Sequence, residues 1–314
     1  MNSFFVELKD FETVRVSGPD AAKFLQGQLT CDVQSLAENA FTHGAACNNK
    51  GRIFASFILA RYGADFHVLL AHGLAAIFMA NLQKFIPFYK CTMQILTGLK
   101  SIGLVGTEAV KTLAKLHAEI PSPNTASEVA GMWLYNLQPD NTQFILSVCE
   151  DNYASTKSNI ASSVPQGTQE NWKLKNIRSG HFPFTVEDVD NYTPQELHFD
   201  QAGYVSFSKG CYTGQEIIAR MHYRGKAKKR LYLLQIEKFK NPENGNEIEI
   251  FDNNGKKIGS PLKQIVDDNQ TLVVIASLPV ELAATSLSTN EGQTFIYCPL
   301  TDSTNPDVSL SKQS

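Results

Sequence analysis

The chain alternates between segments in which apolar and polar residues change at every position and segments in which apolar residues recur at helical spacing. The first pattern is typical of a half-buried strand and the second of an amphipathic helix. In the first hundred residues they predict a strand, a short helix opened by Pro19, a hairpin, a second helix and a further strand. The predicted ranges are 11–16, 19–25, 52–60 with 66–70, 74–84 and 92–96.

A similar succession follows, with strands predicted at 102–105, 132–137 and 144–148 and a helix at 108–116. Hairpins mixed with helices indicate an α+β fold and not a doubly wound parallel sheet. The run Gly103-Leu104-Val105-Gly106 invites comparison with a nucleotide-binding loop, but the third glycine and the acidic residue of that motif are missing. We therefore predict no dinucleotide site there.

After Arg230 the predicted elements are short strands separated by turns rich in Asn, Asp and Gly. They fall at 231–236, 247–251, 257–259 and 271–276. Several short strands with regular turns predict a small barrel or sandwich. The polar residues 301–314 are expected to form a loose tail.

Composition excludes several classes of protein. A chain of 314 residues with 43% hydrophobic content is expected to form two or three domains. Its net charge of −3 implies no global attraction to nucleic acid or to a membrane. The most apolar helical candidate, 73–80, is far shorter than the ~20 residues that cross a bilayer, and residues 1–10 lack the pattern of a targeting signal.

The six cysteines form no C-x-x-C pair and no Cys/His cluster at the spacing of zinc ligands. This pattern favours a reducing compartment and argues against a structural metal. We therefore expect a cytoplasmic protein with no permanently bound metal and no membrane partner.

The stretch Lys209-Gly210-Cys211-Tyr212-Thr213-Gly214-Gln215-Glu216 is the strongest candidate for chemistry. Thr213 and Glu216 have the spacing of a capping box at a helix start. Cys211 would then lie near the positive end of the helix dipole and close to the ammonium of Lys209, and both features favour a thiolate. Two interpretations remain open: a reactive thiol, or a well-capped turn in which Cys211 packs as a small apolar residue and Thr213 and Glu216 are structural.

This stretch resembles the signature of the YgfZ family of folate-binding proteins, bacterial relatives of the glycine-cleavage T-protein, an aminomethyltransferase. Further segments match that family in order and spacing along about residues 10–230. They are Val16 to Asp20, Phe24 to Val33, Asn48 to Arg52, Trp172 to Pro183, and Pro194 with Gln195.

The resemblance implies an α+β fold, a T-protein-like multidomain ring with two α/β sandwich subdomains and a small C-terminal β-barrel. The expected domains are 1–228 for the folate-binding region and 229–300 for the barrel, followed by the tail at 301–314. Tetrahydrofolate or a derivative is the implied cofactor, with Phe11 and Trp172 as its aromatic contacts, although a tryptophan can stand at the first of these positions. From its own chemistry, Trp172 would more often be a core residue.

A basic run adds a second candidate site, because no acidic residue occurs between Ile217 and Ile236. Such a run is most often a solvated face. Its functional interpretation is an anion site for a folate polyglutamate tail, with Arg220 and Arg224 as ligands, or for RNA phosphates, with His222 and Tyr223 interleaved. The run consists of Arg220, Arg224, Lys226, Lys228, Lys229 and Arg230.

The leading hypothesis from the resemblance is a non-enzymatic or weakly catalytic accessory protein. It would bind tetrahydrofolate and support the assembly or repair of iron–sulfur enzymes, including the radical enzymes that thiolate tRNA. The implied partners are folate, iron–sulfur enzymes or assembly factors, and tRNA indirectly. Cys211 is the expected functional thiol and Lys209 its electrostatic partner. The residues expected to frame the thiol are Gly210, Tyr212, Thr213, Gly214, Gln215 and Glu216.

Departures from the family pattern keep two alternatives open. Ala55 and Ser56 stand where the T-protein has two aspartates, one of which assists transfer, and neither can act as a carboxylate base. Arg178 replaces a glutamate that anchors the pterin ring, and an arginine has only donors. His198, where relatives commonly carry Asn, is a milder change. The alternatives are a tetrahydrofolate-dependent one-carbon (aminomethyl) transferase and an RNA-binding module that uses the basic run.

Overall fold

The computed structural model describes residues 3–9, 11–116, 120–129, 131–138, 140, 142–225, 227–241, 247–282, 285–298 and 300. The expected tail at 301–314 and Lys226 of the basic run lie outside these residues. The chain divides into two compact units, the first comprising Met1–Trp172, Phe184–Asn191 and Gly203–Ile217, and the second Lys173–Pro183, Tyr192–Ala202 and Ile218–Ser314. The units alternate along the chain, so neither is the continuous segment 1–228 or 229–300, and that division stays a prediction.

The first unit is built from strands and helices in mixed order, as the sequence pattern predicts. In chain order they are β1 (Phe4–Leu8), β2 (Phe11–Ser17), α1 (Ala21–Gln26), β3 (Phe41–Cys47), β4 (Ile53–Tyr62), β5 (Asp65–Ala71), α2 (Leu74–Leu82), a 3-10 helix (Gln83–Phe88), β6 (Thr92–Ile95), β7 (Leu99–Val105), α3 (Thr107–Lys115), β8 (Ala126–Val129), β9 (Met132–Asn136), β10 (Gln143–Cys149), α4 (Glu150–Ala161), the start of α5 (Gln169–Arg178) and a second 3-10 helix (Val186–Asp188).

Two antiparallel sheets organise this unit, with strand orders β3-β4-β5-β2-β6 and β1-β7-β10-β9-β8 among the described residues. The predicted hairpin is confirmed as β4 and β5, which pair up to Tyr62 and Asp65 at the turn. β4 is apolar on both faces because both are covered. Ile58 faces the buried cluster shared by the two sheets, while Phe57 packs against Phe78 of α2.

The second unit contains the rest of α5, most of α6 (Gln215–Arg224), β11 (Lys229–Ile236), β12 (Ile250–Phe251), β13 (Lys257–Gly259), β14 (Lys263–Val266), β15 (Leu272–Pro279), a 3-10 helix (Val280–Leu282), β16 (Leu287–Thr289) and β17 (Thr294–Cys298). Its strands form one antiparallel sheet in the order β13-β12-β16-β17-β11-β15-β14. Its core is apolar and includes Leu234, Val274 and Phe295.

The expected closed barrel is not observed among the described strands, because no ladder of hydrogen bonds joins the outer strands β13 and β14. β12, β13 and β16 are only two or three residues long, and the β12–β13 pairing is irregular between Ile250 and Phe251. Strands this short offer few backbone groups for the staggered pairing that closure requires. No helix in the described part of the chain is long and apolar enough to span a membrane.

Candidate functional site

The Lys209 side chain fixes the candidate thiol loop to the loop that follows α1. Its Nζ donates hydrogen bonds to the backbone carbonyl oxygens of Gln26 at 2.7 Å, Leu29 at 2.6 Å and Cys31 at 2.8 Å. An ammonium group has three donors, so all three are used. Lys209 is only 8% exposed, and burial lowers its pKa to about 8, although the nearby Cys31 and Asp32 act in the opposite direction.

Thr213 adds a second link to the same loop. Its N–H donates to the Gly27 carbonyl at 3.3 Å, and its hydroxyl lies 3.1 Å from Oε1 of Gln28. Helix α6 begins only at Gln215, so the expected capping box between Thr213 and Glu216 is wrong. The hydroxyl bonds Gln28 instead, and Glu216 lies exposed on the first turn of the helix.

Gln215 and Tyr212 close the turn between the thiol and the helix. The N–H of Tyr212 donates to Oε1 of Gln215 at 3.3 Å, and the N–H of Gln215 donates to the Tyr212 carbonyl at 3.1 Å. The Tyr212 ring is buried and lies 5.0 Å from Nζ of Lys209. Burial also raises the pKa of the Tyr212 hydroxyl. Tyr212 therefore points inward beside Lys209.

Gly214 brings a third segment, residues 48–52, to the site. Its φ is +83°, and a Cβ at this position would lie 2.5 Å from the Asn48 carbonyl oxygen. The Asn48 side chain shapes its own loop, because Oδ1 accepts from the N–H groups of Lys50 and Arg52 and Nδ2 donates to Asp190. Only a glycine allows this close approach without strain. Residues 26–31 and 48–52 thus both contact residues 209–216, which are far away in sequence.

Cys211 lies exposed on this anchored loop. Of the other cysteines, Cys31, Cys47 and Cys91 are buried, and Cys149 and Cys298 are half-buried. Burial raises the pKa of the Cys31 thiol to about 12. Cys211 is therefore the most exposed of the six thiols. The donors of Lys209 are taken up by carbonyls, and its electrostatic pairing with Cys211 stays a prediction.

The two aromatic residues expected to contact folate belong to one buried cluster between the sheets of the first unit. Trp172 is 3% exposed, and half-buried Phe11 packs against the same cluster. The indole ring lies over β7, where a Cβ on Gly103 would come within 2.7 Å of its Cε3 and Cζ3 atoms. Gly103 therefore makes room for the Trp172 ring, which gives this glycine a packing role and not a role in a nucleotide-binding loop. The Nε1–H of Trp172 has no acceptor among the described residues.

His67 is a buried polar residue that the sequence analysis did not single out. It lies on β5 with 6% of its surface exposed, 5.0 Å from the Tyr62 ring and 5.5 Å from the Trp133 ring. Its Nδ1 has no hydrogen-bond partner among the described residues, and burial lowers its pKa to about 4. The available signal was a histidine within the otherwise apolar run Phe66–Leu70.

Comparison with known proteins identifies the family. Residues 3–138 match the family model described as the GCVT N-terminal domain. The tRNA-modifying protein YgfZ of Colwellia psychrerythraea is 30% identical over 278 residues, which cover 88% of this chain and 85% of that protein. The chain belongs to the YgfZ family. The YgfZ protein of Klebsiella pneumoniae is also 30% identical, over 85% of this chain and 83% of its own.

A solved structure confirms the T-protein-like fold predicted from the sequence. Glycine cleavage system aminomethyltransferase T from Bartonella henselae superimposes with a TM-score of 0.79 over 96% of this chain and 87% of that chain. The two sequences are 16% identical, so the likeness shows the fold alone.

The structure shows where the residues that depart from the expected pattern lie. Ala55 is fully buried and Ser56 half-buried on β4, and neither carries a carboxylate. His198 has a φ of +63°, a left-handed conformation in which both Asn and His are enriched, so this exchange suits the backbone.

Arg178, the third departure, is committed to an ion pair within the second unit. Its guanidinium lies 2.6 Å from Oδ2 of Asp267. Burial alone would raise the pKa of Asp267, but hydrogen bonds from the Thr271 N–H, Arg178 and the Asn269 N–H hold it below its ordinary value. Arg178 therefore anchors the turn at residues 267–271.

Some residues of the basic run are exposed to solvent, whereas Arg230 forms a salt bridge. Arg220 and Arg224, the expected folate ligands, lie exposed on α6. Arg230 is half-buried and lies 2.5 Å from Oδ1 of Asp200. The described residues contain no group of three or more His, Cys, Asp or Glu side chains that could hold a metal ion.

Proposed function

We propose that this protein binds tetrahydrofolate and supports tRNA modification as an accessory protein of iron–sulfur enzymes, with Cys211 as its functional thiol. Its YgfZ relatives are named tRNA-modifying proteins. The observation that carries the proposal is the exposure of Cys211 on a loop that the buried Lys209 side chain anchors through three hydrogen bonds. An accessible thiol on a rigid support suits transient ligation or redox exchange with a client.

The buried cluster of the first unit has a chemical feature that fits folate. The indole N–H of Trp172 is a donor without an acceptor, and leaving such a group buried is costly. A pterin ring offers carbonyl and ring-nitrogen acceptors, and Phe11 adds an aromatic surface to the same cluster. Arg220 and Arg224, exposed on α6, are the residues proposed to bind an acidic tail. Tetrahydrofolate supplies a reduced pterin and a carrier for one-carbon units.

The residues on β4 agree with a protein that binds folate but does not transfer an aminomethyl group. The methyl group of Ala55 and the hydroxyl of Ser56 cannot act as a carboxylate base or stabilise a developing cation. The guanidinium of Arg178 has only donors and is paired with Asp267, so it does not replace the anchoring glutamate of the T-protein. These residues favour an accessory role over aminomethyl transfer.

The test is the level of thiolated nucleosides in tRNA from cells that lack the chromosomal copy and express a variant of this chain. Mass spectrometry should show normal thiolation with the parent protein and a strong loss with Cys211→Ser and Cys211→Ala. Cys298→Ser, which changes a half-buried cysteine of the second unit, is the matched control and should retain thiolation. Full thiolation with Cys211→Ala, at equal protein levels, would remove Cys211 from the proposal.

A further inference from the structure

Helix α6 presents a basic and aromatic surface that folate binding does not fully use. Tyr223 and Arg224 lie three and four residues after Arg220, so both side chains are neighbours of Arg220 on the helix surface. Lys228 and Lys229 lie four and five residues after Arg224, the last residue of the helix, and all five residues are exposed. We call these five residues the α6 stripe.

The cations of the α6 stripe are not neutralised by carboxylates. No acidic residue occurs in the sequence between Ile217 and Ile236. Glu216 lies on the first turn of α6, four residues before Arg220, and forms no salt bridge with a cation that the structure describes. None of the four cations forms a salt bridge with a residue that the structure describes, whereas other cations of the second unit do. Those paired cations are Arg178, Arg230 and Lys257. The stripe therefore carries four positive charges between residues 220 and 229 that remain available to an anionic partner.

Tyr223 gives the stripe a second chemical property. It is 68% exposed, and its ring meets the His222 ring edge to face at 4.8 Å. A polyanion without aromatic groups, such as a polyglutamate tail, can use the cations but not this ring. A single-stranded nucleic acid uses both, because its phosphates pair with cations and its bases stack on aromatic side chains.

We infer that the α6 stripe binds a single-stranded segment of RNA, with a base stacked on Tyr223 and phosphates contacting Arg220, Arg224, Lys228 and Lys229. A single-stranded loop of tRNA is the expected natural ligand, and this choice rests on the function proposed above. RNA binding by the stripe does not depend on folate, on Trp172 or on Cys211. An acidic protein segment is the competing occupant, and the stacking residue distinguishes the two.

The experiment measures fluorescence anisotropy of a labelled, unstructured RNA of about twelve nucleotides, with the purified full chain and without folate, over a series of salt concentrations. The logarithm of the affinity should fall with the logarithm of salt with a slope near −3, because each of four phosphate contacts contributes about −0.7. Lys228→Gln or Arg224→Gln should each reduce the slope by about 0.7.

Tyr223→Ala should weaken binding about 5- to 100-fold at every salt concentration without changing the slope, and Tyr223→Phe should restore most of the affinity. Phe88→Ala is the matched control, because Phe88 is 79% exposed and lies on the 3-10 helix of the first unit. Lys256→Gln is the control for charge. Both controls should bind RNA like the parent.

Absence of RNA binding at low salt would overturn the inference. So would an affinity for RNA that Tyr223→Ala leaves unchanged. Titration of the same samples with tetrahydrofolate keeps the two proposals apart, because folate binding without RNA binding would overturn the RNA site and leave the proposed function standing.

Discussion

The Nζ atom of Lys209 lies 2.6 Å from the carbonyl oxygen of Leu29, and the carbonyls of Gln26 and Cys31 occupy its two remaining donors. A buried ammonium is thus satisfied by backbone oxygens alone. This arrangement ties residues 209–216 to residues 26–31 and leaves Cys211 exposed on the joined loops. Lys209 is therefore an anchor of the thiol loop.

Replacing Lys209 with Met should destabilise the protein, because two buried carbonyls and one partly buried carbonyl lose their donor. We expect the free energy of unfolding to fall by about 3 kcal/mol in urea titrations, and hydrogen exchange of residues 26–31 to become faster. Lys173→Met, at an exposed position of α5, is the control and should change stability by less than about 0.5 kcal/mol. Equal losses in the two variants would contradict the anchoring role.

The two glycines of the motif should respond differently to alanine. Gly214→Ala places a Cβ 2.5 Å from the Asn48 carbonyl oxygen at a φ of +83°, so we expect a loss of about 2 kcal/mol or more in unfolding free energy. Gly210→Ala meets no atom within 4 Å and should be tolerated. Thermal and urea unfolding of both variants measure these changes in unfolding free energy. Similar stabilities for both would show that the approach of Asn48 to Gly214 is not required.

Local patterns predicted much of the fold, but they did not reveal partners that are distant in sequence. The β4–β5 hairpin could be predicted because its turn and its two apolar runs are adjacent. The capping box failed because Thr213 bonds Gln28, which is 185 residues away. The carbonyl partners of Lys209 are 178 to 183 residues away, so no local pattern could reveal them. Barrel closure is likewise a non-local property that short strand patterns do not determine.

The ion pair between Arg178 and Asp267 should be measurable as a coupling energy. In a double-mutant cycle with Arg178→Ala and Asp267→Asn, we expect a coupling of about 1 kcal/mol in the free energy of unfolding. The estimate is modest because Arg178 is partly exposed. Asp267→Asn keeps an oxygen for the N–H groups of Asn269 and Thr271. Additive effects of the two substitutions would show that the pair does not stabilise the turn.

His67 should make stability depend on pH in the acid range. Its folded-state pKa is about 4, below the ordinary value of 6.5, because burial disfavours the charged ring. The unfolded chain then binds more protons between pH 6.5 and 4, so stability falls as pH decreases across that window. We expect His67→Phe to flatten this fall by on the order of 2 kcal/mol in urea titrations at several pH values.

Val68→Ala provides the control for this pH dependence. It removes buried apolar contacts on the same strand without changing a titrating group. Its stability curve should lie below that of the parent at every pH with the same slope. An unchanged pH slope in His67→Phe would contradict the assignment of the acid sensitivity to His67.

The proposed folate site at Trp172 and the proposed thiol site at Cys211 act independently in one protein. Calorimetric titration with tetrahydrofolate tests this independence most directly, using the parent, Trp172→Phe and Cys211→Ala. Trp172→Phe keeps a buried aromatic ring and removes the indole N–H, so we predict about tenfold weaker binding, with parent-like affinity in Cys211→Ala. Absence of binding in the parent, or equal affinity in Trp172→Phe, would contradict the account.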